Sequence, residues 1–290
     1  MADAALGVRL LEDLVVEVSG EDARSWLQGQ LTCDLVNVDL PAASYGLVLG
    51  AKGRIVSDAW VYDAGDAERL WLALPRGAGE STPDRTLERL ERYLVMEDVE
   101  LERSTLRVLS VQRRQESGAA PTCPTGAFPA ARLAAGFDRL VPEADAEAAF
   151  EAALADGAEA LDAEAWRSAR IRLHKPSFPD DSADALPQEA GLKGAVSFGK
   201  GCYFGQEAVV MLEHRGKPPR RTVALELPRL DAAPPLPVSA DGREVGVLTS
   251  VAADGDGPVV GLARIKRKTL EAGLPLNVEG TPATLTSILE

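Results

Sequence analysis

The sequence is poor in the residues on which much enzyme chemistry depends. It has two histidines, His174 and His214, and three cysteines, Cys33, Cys123 and Cys202, in 290 residues. An odd number of widely separated cysteines fits neither a disulfide framework nor the close spacing of a structural zinc site, so no metal site is expected. It fits a reduced, cytoplasmic setting instead. No run approaches the roughly 18 consecutive apolar residues of a membrane helix. The opening "MADAALGVRLLEDLVVEVSG" carries Asp3, Glu12 and Asp13 and has neither a basic leader nor a long apolar core, so a secretory signal is not expected. Positive charge is scarce as well: 31 Lys and Arg against 45 Asp and Glu give a formal charge of −14. That argues against general nucleic-acid binding, and an anionic ligand would need a local basic patch.

What the chain does contain is ordinary for a folded protein. Hydrophobic residues at 46% and charged residues at 26% place it among globular rather than disordered sequences, and its length suggests two or three domains. Leu14–Val18 is a short apolar run, followed by a Ser19-Gly20 turn and an expected helix over Asp22–Gln30. Ser44–Leu49, Ile55–Tyr62 and Arg69–Leu74 are β-rich and separated by Gly and Asp turns. In "STPDRTLERLERYL", Thr82 is the expected N-cap and Pro83 the first helical residue, with Leu87, Leu90 and Leu94 on one face. Val99–Leu101 and Leu106–Val111 are further strands, and this order is that of an α+β fold rather than a doubly wound one. Arg113–Gly126 is a polar, Pro/Gly-rich loop. Pro142–Leu154 is an expected helix ended by Gly157, and Ala163–Leu173 another. Beyond Arg220 the runs Thr222–Leu227, Glu244–Val251, Val259–Ile265 and Ala283–Leu289 predict a small β-barrel.

The stretch "GAVSFGKGCYFGQE", Gly194–Glu207, carries the densest chemistry. Gly194, Gly199 and Lys200 have the spacing of a phosphate loop, but Gly201 follows the lysine where Ser or Thr is needed for magnesium, which rejects that reading. Cys202 is either a small buried hydrophobe or an exposed thiol activated by Lys200 two residues away. Gln206 and Glu207 suit either a helix start or a ligand's hydrogen-bonding edge. Two basic clusters stand out from the acidic background: "HRGKPPRR" with Arg215, Lys217, Arg220 and Arg221, and "ARIKRK" with Arg264, Lys266, Arg267 and Lys268. Such runs are usually solvated surface; the alternative is contact with an anionic tail or an RNA backbone.

"KGCYFGQE" (Lys200–Glu207) resembles the signature of the YgfZ family of folate-binding proteins, linked to iron–sulfur cluster assembly and repair and related to the glycine-cleavage T-protein. "WLQGQLTCDL" (Trp26–Leu35), "AKGRIVSDAWVY" (Ala51–Tyr62), "LERYLVMEDVEL" (Leu90–Leu101) and "ALPQEAGLKGAVSFGKGCYFGQEAVV" (Ala185–Val210) resemble further segments of that family, in order along nearly the whole chain. The resemblance implies a ring-like pair of α+β domains with a C-terminal small β-barrel. The expected divisions are 1–112, interleaved with 113–215, and then 216–290. It also implies tetrahydrofolate or a one-carbon derivative in a central cavity, with the signature loop at its edge. Lys200, Tyr203, Gln206, Glu207, Gln188, Glu189 and Arg215 are then the candidate ligand contacts, and Cys202 a reactive thiol. Asp58 falls where the T-protein has an acidic pair, of which Ser57 leaves one member. Cys33, His174 and Met211 stand where relatives commonly have Asn, Gly and Arg.

The function expected from this resemblance is that of a tetrahydrofolate-binding accessory factor for iron–sulfur enzymes, with client or assembly proteins as partners and no membrane. A folate-dependent aminomethyltransferase is the competing reading, favoured by Asp58 and disfavoured by Ser57. A non-catalytic scaffold or tRNA-modification accessory protein, with weak RNA contact through the basic clusters, is the third.

Overall fold

The computed structural model describes residues 6–76, 83–253 and 257–290, and for Arg215 the backbone alone. Thr82 lies outside the described residues. Strands β1 (Leu6–Leu10) and β2 (Leu14–Ser19) follow one another in sequence yet enter different sheets. Helix α1 (Ala23–Gln30) buries Ala23, Trp26 and Leu27, the i, i+3, i+4 stripe of an amphipathic helix. Then come β3 (Ala42–Leu49), β4 (Ile55–Asp63) and β5 (Arg69–Leu74), the three expected β-runs. Helix α2 (Pro83–Glu91) opens on its proline and buries Leu87 and Leu90, with Leu94 packed behind them. Strands β6 (Glu100–Arg103) and β7 (Leu106–Arg113) again part between the two sheets.

The second half continues with β8 (Phe128–Pro129), β9 (Gly136–Pro142), α3 (Ala146–Ala155), β10 (Glu159–Ala160), α4 (Ala163–Arg172), α5 (Pro187–Ala190) and α6 (Gln206–Arg215). Contrary to the expectation from sequence, Pro142 opens no helix. It ends β9 opposite Leu106, and a 3-10 turn at Glu143–Asp145 precedes α3. The barrel comprises β11 (Arg220–Leu227), β12 (Leu236–Ala240), β13 (Arg243–Ala252), β14 (Val259–Lys266), a short α7 (Arg267–Glu271), β15 (Leu276–Val278) and β16 (Thr281–Ile288).

The first sheet has the order β3-β4-β5-β2-β6 and the second β10-β1-β7-β9-β8. The chain thus crosses between sheets at Leu11–Asp13 and again at Ser104–Thr105. Leu11, Val15, Tyr62, Ala73, Val108 and Phe128 fill the space between them. The barrel is closed, in the order β11-β14-β13-β12-β15-β16, around Val223, Leu225, Val238, Leu248, Ile265 and Val278. Closure removes the free sheet edges that a small β-unit would otherwise expose.

One buried carboxylate ties the barrel to the body. Asp181 accepts hydrogen bonds from Arg170 Nη1 on α4 (2.7 Å), from Ser250 Oγ and Thr249 Oγ1 on β13 (2.6 Å each), and from the Ser177 amide (3.1 Å). Arg170 also donates to the Lys175 carbonyl at 2.9 Å. A second close fit lies where the β3–β4 turn meets the start of α6. Gly205 has φ +79°, and a Cβ there would stand 2.4 Å from the Gly50 carbonyl oxygen.

Both features predict measurable stability losses. Asp181→Ala removes the buried countercharge of Arg170, leaving only the more exposed Asp180 at 3.6 Å, and should cost about 3 kcal/mol in urea unfolding, whereas Arg170→Met with Asp181→Leu should cost much less. Gly205→Ala combines a left-handed backbone with a clash against main chain, and should cost at least about 2 kcal/mol by the same measurement.

Candidate functional site

Two motifs that are distant in sequence close on each other. The Lys200 ammonium donates to the carbonyls of Gln28 (2.7 Å), Leu31 (2.8 Å) and Cys33, at and just past the C-terminal end of α1. An ammonium has three N–H donors, so these carbonyls use all of them, and a helix C-terminus favours a cation. Around it the Phe204 amide donates to the Gly29 carbonyl and the Ser197 amide to that of Thr32, both at 2.9 Å. The Thr32 hydroxyl donates to the Ala195 carbonyl (2.6 Å) and accepts from the Leu47 amide (2.8 Å). The Phe204 ring lies 4.8 Å from that of Tyr93, with the Arg89 guanidinium 5.2 Å from its centroid.

The remaining signature residues take varied places. Cys202 is exposed and unpaired, and Cys33 is buried, its thiol pushed up to about 11 by burial. The Gln206 side chain accepts from the Tyr203 amide (3.3 Å), and Glu207 is exposed in the first turn of α6. Tyr203 is buried and its hydroxyl has no partner among the described residues. Gln188 and Glu189 are buried on α5. Gln188 donates to the Val209 carbonyl (2.8 Å), and Glu189 accepts from the Leu186 amide (3.2 Å) and faces Arg54 at 3.6 Å. Of Gly191, Gly194, Gly199, Gly201 and Gly205, only Gly191 and Gly205 have positive φ and a close neighbour.

The main cavity, of about 900 Å³, lies elsewhere: between the two sheets, α4 and the segment that follows it. Its lining includes Tyr45, Asp58 and Trp60 from β3 and β4, Asp13, Arg132, Trp166 and Arg170, and at another side His174 and Lys175. Tyr45 pairs with Trp60 across the strands, so strand alternation turns both, together with Asp58, to one face. Their rings stand 5.2 Å apart. Among the candidate site residues only Asp58 lines this cavity. Lys200, Cys202, Tyr203, Gln206, Glu207, Gln188 and Glu189 do not, and the Arg215 side chain lies outside the described atoms. The signature therefore packs behind β3 rather than forming the cavity rim, which only Gly191, Leu192, Gly194 and Ala195 of its neighbourhood reach.

Asp58 is 5% exposed; its Oδ2 accepts from the Tyr45 hydroxyl (2.8 Å), and its buried Oδ1 has no partner among the described residues. Burial pushes its carboxyl up to about 6, while the Tyr45 hydrogen bond and Arg132 pull it down and Asp13 pushes it further up. Arg132 is spoken for. It donates to Asp138 (2.6 Å), Asp13 (3.0 Å) and the Tyr62 hydroxyl (2.6 Å), and its guanidinium lies 4.8 Å from the Trp60 ring centroid. Asp138 in turn accepts from Tyr62 (2.7 Å) and Ser110 (2.5 Å). His174, at φ +54°, places Nδ1 3.0 Å from the Ser287 hydroxyl of the barrel. Among the described residues no group of three or more His, Cys, Asp or Glu is placed to hold a metal.

Tyr45, Trp60, Trp166, Asp13 and Arg132 join the site without being marked in the sequence. In a chain with 5% aromatic residues, an aromatic at Tyr45 and another at Trp60 within two adjacent β-runs is the one available signal. Nothing local marks Asp13 or Arg132, which meet only through the crossing between sheets.

No family model matches the chain. It is 29% identical over 254 residues to the tRNA-modifying protein YgfZ of Vibrio vulnificus, covering 83% of this chain and 76% of that one. It is 26% identical over 274 residues to a mitochondrial iron-sulfur cluster assembly factor homolog of Pyricularia oryzae, covering 89% and 65%. The crystal structure of glycine cleavage system aminomethyltransferase T from Bartonella henselae superposes with a TM-score of 0.81 at 19% identity, covering 98% of this chain and 85% of that one. The chain is thus similar to YgfZ proteins along most of its length, and it shares the fold of the glycine-cleavage T-protein.

Proposed function

We propose that the chain binds a tetrahydrofolate-type ligand in the main cavity and acts as an accessory factor for iron–sulfur enzymes, including those of tRNA modification. The observation that carries this reading is the buried Asp58 Oδ1, without a partner among the described residues, on a cavity wall faced by Tyr45 and Trp60. A pteridine's amino–amide edge presents adjacent N–H donors that a carboxylate accepts, and aromatic faces cover its ring. A cavity of about 900 Å³ is within the range of small-molecule sites. Lys175, half-buried at the lining, suits the ligand's carboxylate tail. The ligand, when bound, supplies a carrier for one-carbon units. Similarity to proteins named for tRNA modification and iron–sulfur assembly supports the cellular role.

Cys202 supplies the second part of the proposal. It is the exposed thiol of the three, on a loop whose neighbouring Gly199 and Gly201 have open space around them, which gives a reagent or partner access. A second reading, one-carbon transfer from an aminomethyl donor, draws on Asp58 itself, because a carboxyl near 6 suits proton transfer close to neutral pH.

Calorimetric titration with tetrahydrofolate and its one-carbon derivatives should show binding that weakens at least tenfold in Asp58→Asn. Affinity should fall as pH drops through about 6 in the wild type and stay level in the variant; absence of binding by every form overturns the proposal. Formation of methylene-tetrahydrofolate with the lipoyl carrier protein would establish the second reading instead.

The ligand-free protein gives an independent check. A carboxyl with a pKa near 6 folded and 3.8 unfolded destabilises the fold once ionised; that penalty is absent below about pH 4 and complete above about pH 6. An asparagine at this position retains an acceptor for Tyr45. Asp58→Asn should therefore raise stability at pH 7 by up to about 3 kcal/mol and lose the gain near pH 4.

Iodoacetamide should label Cys202 well before buried Cys33 in the native protein. Cells carrying Cys202→Ala should lose iron–sulfur enzyme activity under oxidative stress, and wild-type activity there would remove the thiol from the mechanism.

A further inference from the structure

The two basic clusters of the sequence are neighbours in space. Arg220 opens β11 directly opposite Lys266 at the end of β14, and the Arg267 amide donates to the Pro219 carbonyl at 2.9 Å. Arg264 pairs with Thr222 in the same ladder, so strand alternation turns Arg220, Arg264 and Lys266 to one face of the barrel. Thr222 on that face is buried against the body, its hydroxyl donating to the Glu189 carbonyl (2.9 Å). The cations therefore emerge at the edge of the barrel–body seam.

A third segment joins them there. Arg54, on the turn between β3 and β4, reaches Glu189 at 3.6 Å and Asp184 at 3.8 Å. Arg264 donates to the Ala183 carbonyl at 3.3 Å, one residue from Asp184. Burial pulls Arg264 below its ordinary value; Glu189 opposes this, Arg220 adds to it, and smaller effects of Asp184 and Arg54 act against and with it. Arg54, Arg220, Arg264 and Lys266 thus exceed the two carboxylates beside them. Arg220 is exposed and has no ion pair among the described residues. Four cations gathered from three segments of a chain with net charge −14 repel one another, and an anion laid across them relieves that repulsion.

We propose that this seam, centred on Arg220, Arg264, Lys266 and Arg54, binds the phosphodiester backbone of RNA. Guanidinium forks match phosphate oxygens in pairs, and a row of such groups engages a repeating anion. An acidic protein partner is the less suited occupant, because a protein interface is centred on apolar and aromatic groups, and this surface is centred on charge. The proposal is independent of the ligand in the main cavity.

Fluorescence anisotropy with labelled bulk tRNA, and with a DNA duplex of similar length as a second arm, tests it in the full chain at 50 and 200 mM salt. Wild type should bind RNA at 50 mM salt and weaken steeply at 200 mM. Arg220→Glu with Lys266→Glu should weaken binding at least tenfold and flatten the salt dependence by about 0.7 for each phosphate no longer neutralised. Arg139→Glu with Arg229→Glu, exposed and outside the cluster, makes the same change in net charge and should have little effect. Circular dichroism and thermal melting confirm that both double variants fold, and Arg220→Gln gives a milder variant should charge reversal unfold the barrel. Equal weakening in both double variants, no binding by wild type at 50 mM salt, preference for the DNA duplex, or equally effective competition by polyglutamate would each overturn the proposal.

Discussion

Three hydrogen bonds from one ammonium set the position of much of the body. Lys200 gathers the carbonyls of Gln28, Leu31 and Cys33 at the end of α1, and so fixes where the chain goes after that helix. Thr32, between two of those carbonyls, ties the Ala195 carbonyl to the Leu47 amide of β3. Strand β3 then carries Tyr45, whose hydroxyl bonds Asp58 on β4. The signature is therefore linked to the cavity wall through main-chain hydrogen bonds and one strand, and its own side chains do not line the cavity. An arginine would not substitute well, since a planar fork cannot converge on three carbonyls as a compact ammonium does.

The cavity has its own electrostatic logic. Arg132 is a buried cation, but Asp13 and Asp138 compensate it and Tyr62 and Ser110 complete the network, so its charge is fully paired. Arg170 is likewise used by Asp181 to hold the barrel. Asp58 differs: it has a single side-chain hydrogen bond and one oxygen left over among the described residues. Buried polar groups are normally satisfied, and the exception on this cavity wall is the observation on which the proposed ligand contact rests. That is why Asp58 carries more of the functional argument than the better-recognised cysteine.

The legible parts of the sequence are those governed by local pattern. The β3, β4 and β5 runs, α2 with Pro83 at its start, α4, and the β-rich character after Arg220 are all visible as periodicity and turn residues. Strand β1 is hidden because it leaves its sequence neighbour β2 for another sheet, and β12 because Pro237 interrupts its alternation. Pro142 looks like a helix opener because Pro commonly is one, yet long-range pairing with Leu106 decides its state. At the site, Asp58 is legible through resemblance, whereas Asp13, Arg132, Tyr45 and Trp60 converge only through tertiary structure. Lys200 stands out in the sequence, but its task does not: proximity along the chain suggests Cys202, and the fold gives it three carbonyls instead.

Sharing a fold with an aminomethyltransferase at 19% identity does not transfer its chemistry, because function resides in the site. Two local features shape the site here. Ser57 is buried, and its hydroxyl donates to the Asp58 carbonyl oxygen (3.2 Å), so it serves the backbone rather than adding a second acid beside Asp58. His174 holds a left-handed backbone that glycine adopts more easily, and uses its ring on Ser287 of the barrel while lining the cavity. A side chain held on a left-handed backbone, bonded to the barrel and lining the cavity, ties the placement of the barrel to that wall of the cavity.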